Sequence, residues 1–401
     1  MKTAVKHCVS SAYQIGTGGG VEGRRGLTPP PIRLRDTRTE ALFDDEPPVN
    51  APIAPMAPER DLRLLGERLP AGIYLGSSSW NFPGWRGVVW SQMSSVKGLA
   101  EKGLAAYSAY PVFRTAGIDR SYYKPLTEET YRHFAEQVPE KFRFLVKAPQ
   151  SVTDSLVRDV RGRGAGVNTH YLDVNETLET FIDPVVKGLG RKLGVLVFEL
   201  AALPRERILN LRNAHAAIDE IVSFFSRLPR ETDGMPLSYG VEMRTAQLLT
   251  RRYIRLLRPT HARPVVGIHP SLPPVMRQIN ALRYLDDPEN NSGNWRLKGD
   301  TVVRWSVAQG GTYAELKREW APFDRIQSPD IVTREAVAGL MQRAHASGVR
   351  GFTVANNKAE GCAPLTMRAV AESICALEKT ARDAAIEAAS VRRLTGQGPK
   401  N

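Results

Sequence analysis

The sequence predicts an α/β fold: a closed (β/α)8 barrel of the TIM type, preceded by a disordered N-terminal extension. Two observations support this prediction. Eight short strand-like runs alternate with helical patterns over about 310 residues, which is the element order and the length of such a barrel. No glycine-rich nucleotide fingerprint follows the first strand-like run, so an open doubly wound sheet is the less well supported alternative.

The clearest repeat is the strand–helix–strand segment between Pro111 and Pro149. Apolar, aromatic and β-branched residues predict strands at 112–118 and 142–147. Between them, Thr127 is the predicted helix cap, glutamates occupy the first turn where the helix dipole favours negative charge, and Pro139 ends the helix. Two strands joined by a helix of this length are expected to be parallel neighbours, and charged residues gather where each strand ends.

The other elements repeat this alternation of strand and helix. The remaining strands are predicted at 73–78, 195–199, 238–242, 265–268, 302–305 and 352–355. Helices are predicted at 61–69, 96–109, 176–189, 208–225, 245–257, 274–285, 334–346 and 365–377. Together with the segment described above, these elements complete eight strand–helix repeats.

Three connections are longer than a barrel needs, at 151–175, 286–300 and 306–332. The first and third follow strands, so they are expected at the C-terminal face, where barrel enzymes build their sites. The first connection contains Arg158, Arg161 and Arg163 among glycines. This composition fits either a mobile basic lid or a solvated loop.

Composition divides the chain into three predicted segments. Residues 1–60 are rich in proline and lack apolar periodicity, which predicts a disordered extension, and the glycine-rich piece at 15–20 is interpreted as linker. Residues 61–380 form the predicted barrel. Residues 381–401 form a predicted C-terminal tail.

The chain has 401 residues and a formal net charge of +13. Most of the excess lies in the predicted barrel, because residues 61–380 contain 43 Lys and Arg against 33 Asp and Glu. A basic folded surface favours anionic partners, so we expect an anionic small molecule or nucleic acid as the partner. A solvated basic face that binds no ligand is the alternative.

The cysteines and the hydropathy predict a cytoplasmic protein without a membrane partner. Cys8, Cys362 and Cys375 show no metal-like spacing and no disulfide framework, which is typical of a reducing compartment. No apolar run approaches 18 residues, and the N-terminus lacks the apolar core of a secretory signal. The sequence does not indicate the oligomeric state.

Six segments, found in order at the ends of predicted strands one, two, three, five, seven and eight, point to a known family. They are GSSSWNFPGW at 76–85, IDRSYYKPL at 118–126, FRFLVKAP at 142–149, YGVEMR at 239–244, VRWS at 303–306 and ANNKAEGCAP at 355–364. In these segments the chain resembles the YecE-like family, also called domain of unknown function 72. The resemblance implies a TIM barrel without an established activity, similar in fold to apurinic-site endonucleases and sugar isomerases.

Two departures from the family pattern bear on mechanism. Many members carry Val-Glu-Ile-Asn at strand two, where this chain has the residues AGID at 116–119. The glutamate is replaced by Gly117, so a mechanism that relies on it is not expected here. Many members also have Gln at strand four, where this chain has Glu199.

If the barrel closes, its strand ends bring a set of polar and aromatic residues to one face. Glu242, Asp119 and Lys147 are the predicted catalytic residues. The predicted substrate-binding residues are Trp80, Arg120, Tyr123, Glu199, Arg244, His269, Arg304, Asn356 and Asn357.

Each predicted role follows from chemistry. Lys147, Arg244 and Arg304 would clamp a phosphate or carboxylate, since buried cations are costly unless they are paired. Burial and nearby cations would make Glu242 a general acid or base. Asparagines would orient the substrate, and Trp80 and Tyr123 would stack on a base or sugar ring. The alternatives are a buried ion-pair network that holds the barrel together, and aromatic residues that pack under a loop.

No cofactor is predicted. A divalent metal is the weaker alternative, because strand ends seven and eight supply Arg304 and Asn356 instead of ligands, which leaves four candidates: Asp119, Glu199, Glu242 and His269. No metal ligands are assigned, and the sequence shows no elbow motif for a serine nucleophile.

Three functions remain open. The first is a hydrolase or lyase that acts on an anionic, phosphate-bearing substrate, nucleic acid included. The second is a glycosidase-like enzyme that uses Glu199 and Glu242 as its carboxylate pair, for which the separation of the two carboxyl groups would be diagnostic. The third is a barrel that binds a small anion or nucleic acid without catalysis.

Overall fold

The computed structural model describes residues 52–289 and 295–395, with side chains as far as residue 388. Most of the predicted extension, residues 1–51, lies outside this range, as do residues 290–294 of the second long connection and 396–401 of the predicted tail. Cys362 and Cys375 are free thiols, and Cys8 lies outside the described residues. Among the described helices, none is long and apolar enough to cross a membrane.

Parallel strands form the barrel, and their order confirms the predicted fold. The strands are β1 (Ile73–Ser77), β2 (Phe113–Ile118), β3 (Arg143–Lys147), β4 (Leu193–Leu200), β5 (Tyr239–Met243), β6 in two halves (Ala262–Pro264 and Val266–Ile268), β7 (Thr301–Trp305) and β8 (Gly351–Ala355). Each pairs with its sequence neighbour, and β1 pairs with β8. Seven of the predicted strands agree with these bounds to within about two residues at each end.

The barrel closes at β6, which is divided between its two neighbours. The half Ala262–Pro264 pairs with β5, and the half Val266–Ile268 pairs with β7. Val265 lies between them and donates its N–H to the carbonyl of Val241 at 2.9 Å. The predicted strand at 265–268 therefore starts three residues too late, because its first half begins at Ala262, where Arg263 and Pro264 interrupt the apolar pattern.

Helices surround the barrel. They are α1 (Arg60–Arg68), α2 (Val96–Lys102), α3 (Leu104–Ser108), α4 (Glu128–Glu136), α5 (Gln150–Thr153), α6 (Val174–Thr177), α7 (Asp183–Leu189), α8 (Leu211–Arg227), α9 (Arg251–Leu257), α10 (Val275–Asp286), α11 (Tyr313–Trp320), α12 (Ile331–Ser347) and α13 (Ala363–Thr395). Thr127 caps α4 as predicted, since its hydroxyl accepts from the N–H of Thr130. The last helix runs to Thr395, beyond the predicted helix end at 377 and into the predicted tail.

Two apolar regions account for the packing. The larger lies between the sheet and the helices. The smaller fills the inside of the barrel and consists of Leu145, Val195, Val197, Val265, Val302, Phe352 and Val354. Because side chains alternate along a strand, the next inward positions on β3, β4, β5 and β7 are Lys147, Glu199, Glu242 and Arg304. Charged residues therefore form the layer above the apolar interior.

Residues 52–60, the last part of the predicted extension, contain ordered backbone pairing. The N–H of Met56 donates to the carbonyl of Val89 at 2.7 Å, and the N–H of Ser91 donates to the carbonyl of Ala54 at 3.1 Å. An extended proline-rich segment has the backbone geometry for such pairing. Residues 52–60 therefore have a defined structure, although the sequence predicts disorder there.

Candidate active site at the mouth of the barrel

A cavity of about 440 Å³ opens at the C-terminal ends of the strands. Its lining combines charged, aromatic and amide side chains from several strand ends. They include Asp119, Tyr122, Tyr123, Lys147, Glu199, Arg244, His269, Arg304, Tyr313 and Asn356. Eight of these ten residues were predicted from the sequence, and the barrel brings them together because its parallel strands all end on this face.

Arg304 is the centre of the charged layer. Its Nη1 donates to the Oε2 of Glu199 at 2.6 Å and also to the Oε2 of Glu242, while its Nη2 donates to both oxygens of Asp119 at 3.1 and 3.2 Å. Burial of the guanidinium lowers its pKa, but the charges of Glu242, Asp119 and Glu199 outweigh burial and raise the pKa well above its usual value. Arg304 is therefore a permanent buried cation that three carboxylates compensate.

Three cations converge on one oxygen atom of Glu199. Its Oε2 lies 2.6 Å from Arg304 Nη1, 3.0 Å from Lys147 Nζ and 3.2 Å from Arg244 Nη2. Burial raises the pKa of the Glu199 carboxyl, but the attraction of the three cations prevails and holds the pKa well below its usual value. Glu199 is thus ionised at the focus of three positive side chains from three other strands.

Glu242 lies beneath the cavity. Its side chain is 1% exposed, and it contacts Arg304 and, at 2.7 Å, the Nη2 of Arg244. It does not line the cavity. Two arginines cover its carboxylate, so the predicted role of Glu242 as a general acid or base stays a prediction. Asp119, 33% exposed, is the most accessible of the three carboxylates.

The aromatic wall begins at Tyr122. The Nζ of Lys147 lies 3.7 Å from the centroid of the Tyr122 ring, and that ring meets Tyr123 edge-on at 5.3 Å. Tyr123 is 83% exposed, so it stands at the rim and does not pack under a loop. Its position agrees with the predicted stacking role, which stays a prediction.

A further part of the wall is built from the end of β8. The Nδ2 of Asn356 donates to the Oγ of Ser78 at 3.1 Å, and its Oδ1 accepts from the Nζ of Lys358 at 3.0 Å. These two bonds fix the orientation of the amide. The pKa of Lys358 is lowered to about 8 by burial and, to a smaller extent, by Lys317.

His269 adds a neutral donor to the cavity. Its Nδ1 accepts from the N–H of Ser271 at 3.1 Å, which leaves the proton on Nε2. Burial and the charge of Arg244 lower the pKa of the imidazole, against the smaller opposing effects of Glu242 and Glu199. The ring is therefore neutral at pH 7 and can donate through Nε2.

Three predicted substrate-binding residues lie outside the cavity. Trp80 is 1% exposed and packs edge-on against Phe134 at 5.2 Å, and the guanidinium of Arg120 lies over both rings. Asn357 accepts hydrogen bonds from Trp85 Nε1 at 3.0 Å and from the first N–H of α13 at 2.9 Å. These residues hold loops in place, because the chain turns away from the cavity directly after each strand end.

Two of the three arginines of the first long connection pair locally. Arg158 binds Asp154, and Arg163 binds Asp159, within a short hairpin formed by Leu156–Arg158 and Gly164–Val167. The hairpin is exposed. These contacts fit the solvated-loop alternative better than a lid that carries free positive charge.

No cluster of three or more His, Cys, Asp or Glu side chains in the described part of the chain is arranged to hold a metal ion. The predicted candidates Asp119, Glu199 and Glu242 direct their oxygens at Arg304. A divalent metal would have to displace that guanidinium.

Sequence reasoning missed three residues of the site. Tyr122 lies beside Tyr123 in the segment 118–126, and Lys358 follows the two asparagines in the segment 355–364. Their positions at strand ends within these segments are a signal that identifies both residues. Tyr313 begins α11 inside a long connection, where no periodicity identifies a site residue. The fold alone brings that connection over the mouth of the barrel.

Comparisons with known proteins found a matching protein family and similar solved structures. A family model described as "Protein of unknown function DUF72" matches residues 74–389. One solved structure, of a DUF72 family protein from Enterococcus faecalis, has 15% identity and a TM-score of 0.48, and the match covers 75% of this chain and 95% of that one. Another, from Thermotoga maritima, has 18% identity and a TM-score of 0.45, and the match covers 76% and 99%. A comparison with curated proteins finds no match.

Proposed function

The chain belongs to the DUF72 family of proteins of unknown function, and we propose that it binds an anionic, phosphate-bearing substrate at the barrel mouth and cleaves it by hydrolysis or elimination. One observation carries the proposal. Lys147, Arg244 and Arg304 come from different strands and direct donors at a single point, where the Oε2 of Glu199 now lies. Convergent cations of this kind are the chemistry that recognises an oxyanion.

Glu199 is the replaceable partner in this arrangement. Without it, Arg304 keeps Glu242 and Asp119, and Arg244 keeps Glu242. Lys147 keeps the face of the Tyr122 ring. A phosphate oxygen that takes the position of Glu199 Oε2 would therefore meet three donors while each cation retains a second contact. The side chain of Glu199 is 17% exposed, so it has a path toward solvent.

Asp119 is the proposed proton-transfer group. It is the carboxylate that lines the cavity with the greatest exposure, and Arg304 fixes its orientation through two hydrogen bonds. In a hydrolysis it would take a proton from the water whose oxygen bonds to phosphorus while the P–O bond to the leaving alcohol breaks. In an elimination it would take a proton from the carbon next to the one that bears the phosphate, and the phosphate leaves as the C–O bond breaks and a C=C bond forms. Lys147 and Arg244 would neutralise charge on the phosphate, and Glu242 would hold the two arginines.

The geometry favours this function over the glycosidase. A retaining or inverting pair of carboxylates needs the sugar between them. Here Glu199 and Glu242 both contact the same nitrogen of Arg304, so the guanidinium occupies that space.

A cytoplasmic location and salt-sensitive binding of nucleic acid remain parts of the proposal, based on the cysteine usage and the basic barrel.

The binding half of the proposal is tested with inorganic phosphate by calorimetry. Glu199→Gln removes the competing charge and should tighten phosphate binding about tenfold, while Lys147→Met and Arg244→Met should each weaken it about tenfold. The double variant Arg263→Met/Asp286→Leu is the matched control, since it removes a similarly enclosed ion pair at the other end of the barrel and should keep most of the stability. We call the point where Lys147, Arg244 and Arg304 converge the anion site. Unchanged phosphate affinity in Glu199→Gln and in both cation variants would overturn the proposal that it binds an anion.

The catalytic half is tested with chromogenic phosphate monoesters and diesters. Wild type should turn over one of them, and Asp119→Asn should abolish turnover while phosphate still binds. If wild type binds phosphate but cleaves neither ester class, the cleavage is overturned and a binding barrel remains.

A further inference from the structure

Two exposed tyrosines stand at the rim of the cavity. Tyr123 is 83% exposed and Tyr313 is 56% exposed, and both line the cavity. They come from separate parts of the chain, one after β2 and the other at the start of α11. Burial and the charge of Asp119 raise the pKa of both hydroxyls, and Tyr123 also raises that of Tyr313. The three side chains therefore meet at the same opening.

Tyr313 is supported from behind. The Nζ of Lys358 lies 4.0 Å from the centroid of its ring and 5.2 Å from that of Phe323, and the ammonium is fixed by Asn356. Lys358 is 2% exposed, and among the described residues no carboxylate lies within ion-pair distance of it. Aromatic faces thus take the place of a counter-ion. Because Lys358 covers one face of the Tyr313 ring, the other face is available to the cavity.

Tyr123 is connected to the anion site through one ring. Lys147, which contacts Glu199 Oε2, lies on the face of Tyr122, and Tyr122 meets Tyr123 edge-on. A ligand group beside Tyr123 is therefore one aromatic ring away from the convergent cations. Asp119 lies near this opening and can accept hydrogen bonds from hydroxyl groups.

We propose that Tyr123 and Tyr313 stack on a nucleobase, so that the ligand is a nucleotide, either free or as an unpaired unit of a nucleic acid. The phosphate would occupy the anion site, the sugar hydroxyls would face Asp119, and the base would lie on the tyrosine rings. Base stacking on aromatic side chains accepts any base, because every base has a π-face. The phosphate contact rests on the proposed function, whereas the base contact does not.

The experiment compares adenosine, ribose 5-phosphate, adenosine 5′-monophosphate and a short single-stranded oligonucleotide by calorimetry. Wild type should bind the nucleotide roughly 5- to 150-fold more tightly than ribose 5-phosphate. Tyr123→Leu and Tyr313→Leu should remove most of that preference, whereas Tyr123→Phe and Tyr313→Phe, which keep the ring, should retain it. Both tyrosines are exposed, so these variants should fold.

The four ligands and the tyrosine variants distinguish the base site from the anion site. Equal affinities for the nucleotide and ribose 5-phosphate, or a preference that survives both leucine variants, would overturn the base site even if phosphate binds. Adenosine binding that depends on the tyrosines, without any phosphate binding, would support the base site and overturn the anion site. An oligonucleotide that binds more tightly than the free nucleotide identifies nucleic acid as the source, and the reverse order identifies a free nucleotide.

Discussion

The two ends of the barrel both contain arginine–carboxylate pairs, but the pairs are connected differently. At the N-terminal end, Arg263 donates from Nη1 and Nη2 to the two oxygens of Asp286 at 2.8 and 2.7 Å, and its Nε donates to a backbone carbonyl. Arg350 also pairs with a single carboxylate: its Nε donates to both oxygens of Asp300 at 3.1 Å, and its Nη2 donates to one of them. At the C-terminal mouth, Arg304 is shared among three carboxylates, and Glu199 is shared among three cations.

This difference indicates which end can take a ligand. In a closed bidentate pair both carboxylate oxygens are bound to one guanidinium, so the pair fixes strand ends and stabilises the fold. In a shared network each cation has a second partner, so one contact can be exchanged for a ligand oxygen at low cost. A cavity of about 380 Å³ also lies at the N-terminal end, where Asp286 and Asp300 of its lining are already engaged by Arg263 and Arg350, while Arg258 and Lys298 belong to neither pair.

The largest expected effect tests this contrast directly with two arginines of equal exposure. Arg263 is 15% exposed and Arg244 is 14% exposed. Arg263→Met removes the donors from both oxygens of buried Asp286 and should cost about 3–5 kcal/mol of unfolding free energy. Arg244→Met should cost roughly 1–2 kcal/mol, because Arg304 still holds Glu199 and Glu242.

Urea denaturation measures both losses. The double variant Arg263→Met/Asp286→Leu removes the whole pair and should recover most of the stability. Equal losses in the two single variants, or the larger loss in Arg244→Met, would contradict the distinction between closed and shared pairs.

The second prediction concerns Lys358, a buried cation behind the wall of the mouth. Burial and Lys317 lower its pKa to about 8, and Tyr313 and Phe323 are the rings that face it. An unfolded lysine has a pKa near 10.4, so between about pH 8 and pH 10.4 the unfolded state binds the extra proton. Folding stability should therefore rise with pH across this window, by about 2–3 kcal/mol.

The melting temperature of wild type and Lys358→Met, measured from pH 7 to pH 10.5, checks this sign. The melting temperature of wild type should rise relative to that of the variant as pH rises, since methionine has no proton to lose. Parallel curves would mean that Lys358 titrates normally in the folded protein.

The smallest expected effect separates the two parts of the predicted N-terminal extension. Removal of residues 1–51 should leave the melting temperature within a few degrees of wild type. Removal through residue 59 also deletes the backbone bonds of Ala54 and Met56 to residues 89–91, and should cost about 1–2 kcal/mol. If both truncations behave alike in thermal denaturation, the pairing of residues 54–56 contributes nothing to stability.

The sequence by itself determined the barrel and the inward-facing charges. Strand periodicity of two places Lys147, Glu199, Glu242 and Arg304 on one face of their strands, and eight alternating repeats favour closure. The sequence predicts the start of β6 too late, because Arg263 and Pro264 in its first half break the apolar pattern.

Only the tertiary structure decided which of these residues share a cavity. Trp80, Arg120 and Asn357 follow strand ends just as Asp119 and Asn356 do, yet they pack into loops. Glu242 and Glu199 are register partners on adjacent strands, but two arginines cover the first, and the second lines the cavity. The physical reason is that ion-pair partners and exposure depend on distances between strands far apart in the chain, and periodicity along one strand carries no information about those distances.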